Sequence, residues 1–407
     1  TVGGEACVLV GFEFPFLGGS MGAAEGARIA RAFSVAVAER LPIVCVAASG
    51  GSRMQEGTTA LLQMQAAATA IAGARRAGIP HIAVAGDPTT GGVWSSLIAD
   101  ADVLISVPDA RVSFSGARTR PQGADPQSTE YLSDGKWAHG FIDVLSPVPR
   151  LGAEVAAAVR LLSPRSRGDI PHRAPLPAWP DGDGDLDGAA GAGAWAHVGG
   201  ARSPRRARAD RWLAEYFGQT VEIRGDRCGG VDGGLRCGFG SHHGSTIAYV
   251  AQTGQRTTPA GFRTATRLLG LAARLRLPVL TLIDTPGAAA APADEAAGIG
   301  PAIAELFVAM ASSQVPITSV VIGEGVSGGA LALASPNDLW IARDAYLAVT
   351  TPELAASILK LDVHDIPQVA TWLRLTPAEL MSRGIVRGVI RPPAASAGTA
   401  AQAADPR

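Results

Sequence analysis

The chain has 407 residues, of which 47% are apolar and 17% charged, and its formal net charge is −1. That length is enough for about two to three ordinary domains, while the balanced charge gives no global field that would attract nucleic acid or an anionic membrane. With no apolar run near the ~20 residues that cross a bilayer, no leader-like start and too few cysteines for a disulfide framework, the sequence predicts a cytoplasmic protein of several domains.

Residues 1–162 alternate short β-branched runs with alanine-rich stretches. Ile43–Ala47 and Ile82–Ala85 each follow a Leu-Pro or Ile-Pro step and are predicted strands, and Thr58–Ala77 is a predicted helix. Strands that alternate with helices are typical of βαβ units with a parallel sheet buried on both faces. The sequence therefore predicts an α/β fold for this first domain.

The composition changes between residues 163 and 200, which are dense in Pro, Gly and Asp and show no periodicity. Such a segment is typical of a linker, and we expect it to be mobile. Strand–helix alternation returns over residues 201–391, which predicts a second α/β domain. Residues 392–407 form a polar, alanine-rich tail.

An internal repeat relates the two domains. Several short segments of the first domain recur in order about 236 positions later, which chance does not explain. The matching pairs are Leu41-Pro42 with Leu277-Pro278, Ile79-Pro80 with Val315-Pro316, Asp102 with Asp338, Gly91-Gly92 with Gly328-Gly329, and Asp109-Ala110 with Asp344-Ala345. The two domains are therefore predicted to be copies of one α/β unit.

Each copy carries two glycine-bearing turns that follow a strand and precede a helix. They are Ser49-Gly50-Gly51-Ser52 and Thr90-Gly91-Gly92-Val93 in the first copy, and Asp284-Thr285-Pro286-Gly287-Ala288 and Ser327-Gly328-Gly329-Ala330 in the second. A glycine turn that opens a helix exposes unpaired backbone N–H groups, which can approach a substrate oxygen closely. Two such turns that converge would form an oxyanion hole for a carbonyl that becomes an enolate. The alternative is that the glycines serve tight turns only.

Conventional catalytic groups are sparse. The sequence contains no G-x-S-x-G, H-E-x-x-H or Walker A motif, and its seven histidines and the pair Cys228 and Cys237 have no metal-ligand spacing. Glu56, Asp87 and Glu324 lie near the glycine turns as candidate acids or bases, although cap or turn roles are more common for such residues. The basic run is expected to be a solvated linker end, with phosphate contact as the alternative; its members are Arg202, Arg205, Arg206, Arg208 and Arg211.

Longer segments resemble a known family. FEFPFLGGSMGAAEGARI, ASGGSRMQEG and DPTTGGV resemble the β subunit of bacterial acetyl-CoA carboxylase carboxyltransferase. EIRGDR, PAGFRTATRLLGLAARLRLPVLTLIDTPGA, VPITSVVIGEGVSGGALALA and VTTPELAASIL resemble its α subunit. The resemblance covers about residues 8–145 and 201–391, so the chain is similar to a β–α fusion within the biotin-dependent carboxyltransferases of the crotonase superfamily.

The resemblance implies two crotonase-like domains of repeated ββα units and an active site between the first domain of one protomer and the second domain of another. The first-domain turns would hold the thioester oxygen of the CoA substrate, and the second-domain turns would hold the ureido oxygen of biotin. The residues assigned to catalysis are Gly91, Gly92, Val93, Gly328, Gly329 and Ala330. The residues assigned to substrate binding are Ser49, Gly50, Gly51, Arg53, Thr285, Pro286 and Gly287.

The reaction implied is carboxyl transfer from carboxybiotin to acetyl-CoA or a close acyl-CoA, giving malonyl-CoA, as in fatty acid biosynthesis. Carboxybiotin releases CO2, the biotin nitrogen takes the α-proton and the enolate attacks CO2, which fits the scarcity of side-chain bases. No A-M-K-M biotinylation motif occurs in the sequence. The implied partners are therefore a separate biotin carboxyl carrier protein and a biotin carboxylase, together with a second copy of the chain in a homodimer.

Four features depart from the family pattern. The four-cysteine zinc ribbon of β subunits does not appear, so no zinc or other metal is expected. Residues 117–130, ARTRPQGADPQSTE, replace a segment that walls the active site, which leaves the acyl group open. Arg387 stands where the α subunit has Asp, and the segment after Gly287 is unusually rich in alanine.

Two other functions remain possible from the sequence. A biotin-independent decarboxylase of a malonyl thioester would use the same oxyanion hole and protonate the same enolate. A non-catalytic assembly subunit would only bind CoA or partner chains, which the intact glycine turns in both domains argue against. Pockets that accept both CoA and biotin favour the carboxyltransferase.

Overall fold

The computed structural model describes residues 1–125, 127–164, 173–176 and 193–392. Residues 1–164 are called the first half here, and residues 193–392 the second half. Most of the predicted linker and nearly all of the predicted tail lie outside the described residues. No helix of the described ranges is long and apolar enough to cross a membrane.

The first half is built on a parallel sheet whose strands run in the order β1-β2-β3-β4-β6, with β5 paired to β3. The strands are β1 Val8–Gly11, β2 Ile43–Ser49, β3 His81–Thr90, β4 Val103–Ser106, β5 Val112–Ser113 and β6 Val144–Leu145. The helices are α1 Ala23–Glu39, α2 Thr58–Arg76, α3 Gly91–Val93, α4 Ser133–Ala138 and α5 Val148–Leu162. The two predicted strands and the predicted helix of this half are confirmed.

The second half has an eight-stranded sheet in the order β14-β12-β11-β10-β9-β8-β7, with β13 paired to β11. Its strands are β7 Gln219–Ile223, β8 Leu235–His242, β9 Ser245–Gln252, β10 Val279–Thr285, β11 Ile317–Val326, β12 Leu339–Ala342, β13 Tyr346–Ala348 and β14 Val389–Ile390. Only the pairs β7–β8 and β8–β9 are antiparallel among the described pairs of this sheet.

The helices of the second half surround this sheet. They are α6 Ala194–Arg202, α7 Ala209–Tyr216, α8 Pro259–Leu275, α9 Pro292–Ala296, α10 Ile299–Ala311, α11 Ser327–Leu331, α12 Pro352–Ile358, α13 Ile366–Trp372 and α14 Pro377–Ser382. The structure is thus a mixed α/β protein with one sheet in each half.

The central strand pairs of the two halves have the same register. In the first half Ile43 pairs with His81, and after a bulge Ser49 pairs with Thr89. In the second half Val279 pairs with Ile317, and after a bulge Thr285 pairs with Gly325. A bulge changes the direction of the strand end that follows it. Because both strand pairs have the bulge at the equivalent position, the glycine turns of the two halves follow their sheets at equivalent positions.

The helices before these strands also end alike. Helix α1 ends at Glu39 and helix α8 at Leu275, and the residue after each, Arg40 or Arg276, is in the left-handed conformation, with φ of 51° and 55°. A Leu-Pro step follows each of them. A residue that precedes proline is disfavoured in the α region, so the repeated Leu-Pro steps stop both helices and direct the chain into a central strand.

The two halves pack against each other through a shared core, which includes helix α5 and one face of the first sheet, and through ion pairs at the starts of two first-half strands. On helix α8, Arg274 pairs with Asp102 at 2.5 Å and Arg267 with Asp143 at 3.2 Å. Asp102 and Asp143 directly precede strands β4 and β6. These ion pairs place the second half at the amino ends of β4 and β6, whereas the first-half glycine turns lie at the carboxyl ends of β2 and β3.

Part of the predicted linker is helical, and another part packs against the second half. Helix α6 begins at Ala194, six residues before the predicted end of the linker, so the expectation of an irregular segment is wrong there. Ala174 is fully buried, and its carbonyl oxygen accepts a hydrogen bond from Thr318 Oγ1 at 3.1 Å. Val198 and Ala201 of α6 are buried against strands of the second half, and this long-range packing has no periodic signal in so short a stretch.

The buried His81 makes stability depend on pH. Both of its ring nitrogens lack a hydrogen-bond partner among the described residues, and burial, only partly opposed by Asp102, lowers its pKa from 6.5 to about 4. The unfolded chain therefore binds more protons between these pH values, so stability falls as the pH drops from 6.5 to 4, by about 3 kcal/mol. Urea unfolding at several pH values should show this loss in the native sequence.

His81→Leu should flatten the pH dependence in that window, because leucine cannot be protonated. The control is His364→Gln, at a side chain that is 96% exposed, which should leave the slope as it is. An unchanged slope in His81→Leu would assign the acid sensitivity to other groups.

Candidate functional site

The two predicted turns of the first half are in contact. Ser49 Oγ accepts the N–H of Gly51 at 3.0 Å, and Thr90 Oγ1 donates to the carbonyl of Ser49 at 3.3 Å. Gly51 and Gly91 have φ of 106° and 61°. A Cβ placed on Gly51 would lie 3.3 Å from Gly91 Cα and from the nitrogen of Gly92. Glycine is therefore required both by the backbone conformation and by the close approach of the turns.

The two turns of the second half are equally close. Thr285 Oγ1 accepts the N–H of Gly287 at 3.1 Å, as Ser49 does in the first half. A Cβ on Gly329 would lie 2.4 Å from the nitrogen of Ala288 and 2.8 Å from the carbonyl carbon of Gly287. Only glycine at position 329 permits this approach of backbone to backbone.

The repeat is aligned differently at this turn than the sequence suggested. Ser327, with φ of 61°, takes the left-handed position that Gly91 holds in the first half. The register of β3 and β11 makes Ser327, and not Gly328, the equivalent of Gly91. A non-glycine residue at positive φ is uncommon and carries backbone strain, so a sequence comparison naturally pairs glycine with glycine.

The turns present backbone amides. Gly92 and Val93 belong to α3, and Gly328, Gly329 and Ala330 to α11, at the ends of β3 and β11. The first amides of a helix have no acceptor within it. Each half therefore offers donors suited to an oxygen that becomes negatively charged.

Arg53 lies in an ion-pair cluster, and its role as a substrate ligand stays a prediction. Its guanidinium pairs with Glu25 at 2.9 Å and Glu56 at 3.0 Å, and it donates to the Ser20 carbonyl at 2.7 Å. Burial alone would lower the pKa of Arg53, but the two carboxylates raise it above its ordinary value. Within the described residues Arg53 ties the loop before α1 to the turn after β2, and its donors are engaged.

The candidate acids and bases are engaged as well. Glu56 accepts the N–H of Ala23 at the start of α1, at 2.6 Å. The hydrogen bond from Arg111 holds the pKa of Asp87 below its ordinary value. Glu324 accepts from Arg202 at 2.8 Å. These contacts support the structural roles and leave the backbone amides as the reactive feature of the turns.

An ion-pair network behind the second-half turns was missed by sequence reasoning. Both Asp284 oxygens lie 2.6 Å from Arg206 Nη2, and one of them accepts the N–H of Glu324 at 3.1 Å. Asp284 is fully buried, and Arg206 is 8% exposed. Because Asp284 precedes Thr285 and Glu324 lies near the end of β11, this carboxylate joins the two strand ends that carry the turns.

The expectation of a solvated basic run is therefore wrong for three of its members. Arg206 and Arg208 pair with Asp284, and Arg202 pairs with Glu324 and Glu353. The partners are distant in sequence, so only the folded chain identifies them.

Comparison with known proteins identifies the family. The family described as acetyl co-enzyme A carboxylase carboxyltransferase-like matches residues 191–405, and the carboxyl transferase domain matches residues 1–121. The acetyl-coenzyme A carboxylase carboxyl transferase subunits beta/alpha of Salinispora arenicola are 38% identical over 420 aligned positions, covering 98% of this chain and 73% of that protein. The chain belongs to this carboxyltransferase family. The predicted recognition and the carboxyltransferase function are confirmed.

Other relatives agree with this assignment. The acetyl-coenzyme A carboxylase carboxyl transferase subunits beta/alpha of Saccharopolyspora erythraea are 36% identical to this chain, and the alignment covers 98% of this chain and 71% of that protein. A transcarboxylase 12S crystal structure superposes with a TM-score of 0.77 at 20% identity, covering 93% of this chain and 75% of that chain. At that identity the superposition shows the shared fold.

The departures from the family pattern have defined places in the carboxyltransferase. The carbonyl oxygen of Phe114 would lie 4.0 Å from a Cβ on Gly91, so the replaced segment that follows starts beside the first-half turns. Arg120 of this segment stacks on Tyr131, 3.6 Å from the ring centroid. Arg387 pairs with Asp338 at 3.2 Å, away from the turns.

No group of three or more His, Cys, Asp or Glu side chains in the described parts of the chain is arranged to hold a metal ion. Cys237 is buried, and Cys228 is exposed. The prediction that the carboxyltransferase holds no zinc stays a prediction.

Proposed function

We propose that the chain transfers the carboxyl group of carboxybiotin, carried on a separate biotin carboxyl carrier protein, to acetyl-CoA or a close acyl-CoA. The product would be malonyl-CoA or its homologue, and a biotin carboxylase would recharge the carrier. The observation that carries this proposal is the presence of two contacting glycine turns in each half, in which Ser49 and Thr285 accept equivalent hydrogen bonds from the amides of Gly51 and Gly287. The names of the relatives support the substrate.

Each pair of turns would stabilise one oxygen. The amides of Gly92 and Val93 would hold the thioester oxygen while it is an enolate, and those of Gly328, Gly329 and Ala330 the ureido oxygen of biotin. CO2 leaves carboxybiotin, the biotin nitrogen takes the α-proton, and the enolate carbon bonds to CO2. No side-chain base is needed, which agrees with the engagement of Glu56, Asp87 and Glu324.

We further propose that the halves are crotonase-like domains that arose by duplication, spanning residues 1–162 and about 193–391. The shared register of the central strands, the shared bulges and the shared helix ends at Arg40 and Arg276 support this proposal. The described part of the segment between the domains is then limited to residues 163–164 and 173–176.

The complete site would form between two protomers of a homodimer. Within one chain the ion pairs place the second half at the amino ends of β4 and β6, and the ten-residue β3 separates that end of the sheet from the glycine turns by roughly 30 Å. Apolar side chains near the turns are exposed, with Met54 at 84% and Phe114 at 71%. A second copy that places its second half on this face would cover them and complete two sites.

The reverse reaction tests the proposal. The purified chain should release acetyl-CoA from malonyl-CoA when free biotin or biocytin is present, and should not release it without them. Release without biotin would show a decarboxylase instead, which keeps the enolate step and removes the role of the second-half turns. No release under either condition would point to another acyl group, tested next with methylmalonyl-CoA, or to a binding subunit.

A further inference from the structure

A cavity lies at the junction of the two halves. Its volume is about 220 Å³. Trp94, Ala99, Lys136 and Phe141 of the first half and Arg227 of the second half line it. Two aromatic rings and an alanine form apolar walls, and both ionisable lining side chains are basic.

Arg227 enters this cavity with unused hydrogen-bonding capacity. Its Nη2 donates to Asp143 Oδ2 at 2.6 Å, but its Nη1 is buried and has no hydrogen-bond partner among the described residues. The residue also has a positive φ of 62°, so the backbone is held in an uncommon conformation to place it there. A buried polar atom without a partner calls for an acceptor.

Lys136 is the second unused cation. Within the described ranges its ammonium forms no hydrogen bond or ion pair, and its one close contact is the face of Phe141, 5.5 Å from the ring centroid. Burial lowers the pKa of Lys136 below its ordinary value. Because an opposite charge nearby favours the charged form, a bound anion would reverse this effect.

The charges around the cavity are unbalanced. Asp143 is fully buried on its side chain, and it is shared by Arg227 and Arg267. Arg224 also lies here, with its guanidinium 3.9 Å from the Trp137 ring centroid and its Nε donating to the Trp137 carbonyl. Among the described residues Asp143 is the carboxylate that pairs with Arg227 and Arg267, while Glu130 acts on Lys136 and Asp100 on Arg227 without forming an ion pair. The cations around the cavity therefore still outnumber the acids.

We propose that this cavity binds a small organic anion, in which a carboxylate or phosphate group contacts Arg227 and Lys136 and a compact apolar body contacts Trp94 and Phe141. The ligand would contact both halves of the chain. It would also contact Trp94, which directly follows helix α3, so the bound ligand would lie next to a first-half glycine turn. The proposal depends on neither the acyl substrate nor the use of biotin.

Calorimetric titration of the full-length chain with three probes tests it. Benzoate supplies an anion on a flat apolar body, benzyl alcohol the same body without charge, and inorganic phosphate the charge without the body. We expect saturable binding of benzoate with a Kd of about 1 mM or tighter, and at least tenfold weaker binding of benzyl alcohol. Benzoate should also raise the Tm, because it binds the folded chain across two halves.

Two variants locate the site. Lys136→Met and Arg227→Met should each weaken benzoate binding at least tenfold, whereas Arg150→Met, at a side chain that is 74% exposed on α5, should not. If Arg227→Met fails to fold, Lys136→Met alone still tests the site. Lys136 forms no ion pair within the described chain, so its replacement should leave the fold intact. Absence of saturable binding of benzoate and phosphate, or binding that both variants leave unchanged, would overturn the proposal.

Discussion

Gly329→Ala is expected to lower kcat for carboxyl transfer at least 100-fold. The added Cβ would lie 2.4 Å from the nitrogen of Ala288 and 2.8 Å from the carbonyl carbon of Gly287. Both atoms belong to the backbone, so the two second-half turns must move apart. Loss of a single donor from an oxyanion site costs about 100- to 1000-fold in kcat. Initial rates of biocytin-dependent acetyl-CoA release from malonyl-CoA measure the effect.

The matched control is Gly270→Ala in helix α8 of the same half. An added Cβ there meets no atom within 4 Å, so the rate should stay at the native value. Alanine should also stabilise the helix by about 0.5–1 kcal/mol. Native kcat in a folded Gly329→Ala chain would mean that the contact between the second-half turns has no part in catalysis.

Mixing two inactive variants extends this prediction to the assembly. Gly51→Val damages the first-half turns, since Gly51 has φ of 106° and lies against the backbone of Thr90. If each site combines the halves of two protomers, co-expression of Gly51→Val with Gly329→Ala should restore about a quarter of the native activity, through mixed dimers with one intact site. No recovery, with mixed dimers verified by differently tagged chains, would argue for sites within single chains.

Arg206→Met is expected to destabilise the chain by about 3–5 kcal/mol, because it leaves the Asp284 carboxylate buried without its main counter-charge. Both oxygens of Asp284 are 2.6 Å from Arg206 Nη2, and the Asp284 side chain is fully buried. Of the described basic residues only Arg208, at 3.3 Å, would remain to pair with it. The free energy of unfolding in urea measures the loss.

Arg211→Met serves as the control, since Arg211 pairs with Glu215 four residues on and both side chains are about half exposed. Such a pair contributes about 0.3–0.5 kcal/mol. Adding Asp284→Asn to Arg206→Met should recover part of the lost stability, because an amide can be buried at lower cost than a charge. Equal effects of Arg206→Met and Arg211→Met would show that the buried pair contributes little.

Several elements of the fold were predictable because their signals are local. The Leu-Pro steps at 41–42 and 277–278 precede central strands in both halves. The glycine turns were found from their position between a β-branched run and a helix. Their contact was not predictable in detail, because it depends on a bulge in each central strand pair, and a bulge has no reliable sequence pattern.

The sequence by itself determined the α/β class, the repeat, the glycine turns and the carboxyltransferase family, since each depends on residue types within a short stretch of chain. Only the tertiary structure decided which acid each arginine meets: Arg206 pairs with Asp284 across 78 positions, and Arg53 pairs with Glu25 and Glu56. The tertiary structure also showed that Ser327 is the left-handed residue of the turn after β11, where the sequence had suggested a glycine. The sequence gives the charge of each side chain, but the burial of that side chain and the identity of its ion-pair partner depend on how distant segments pack.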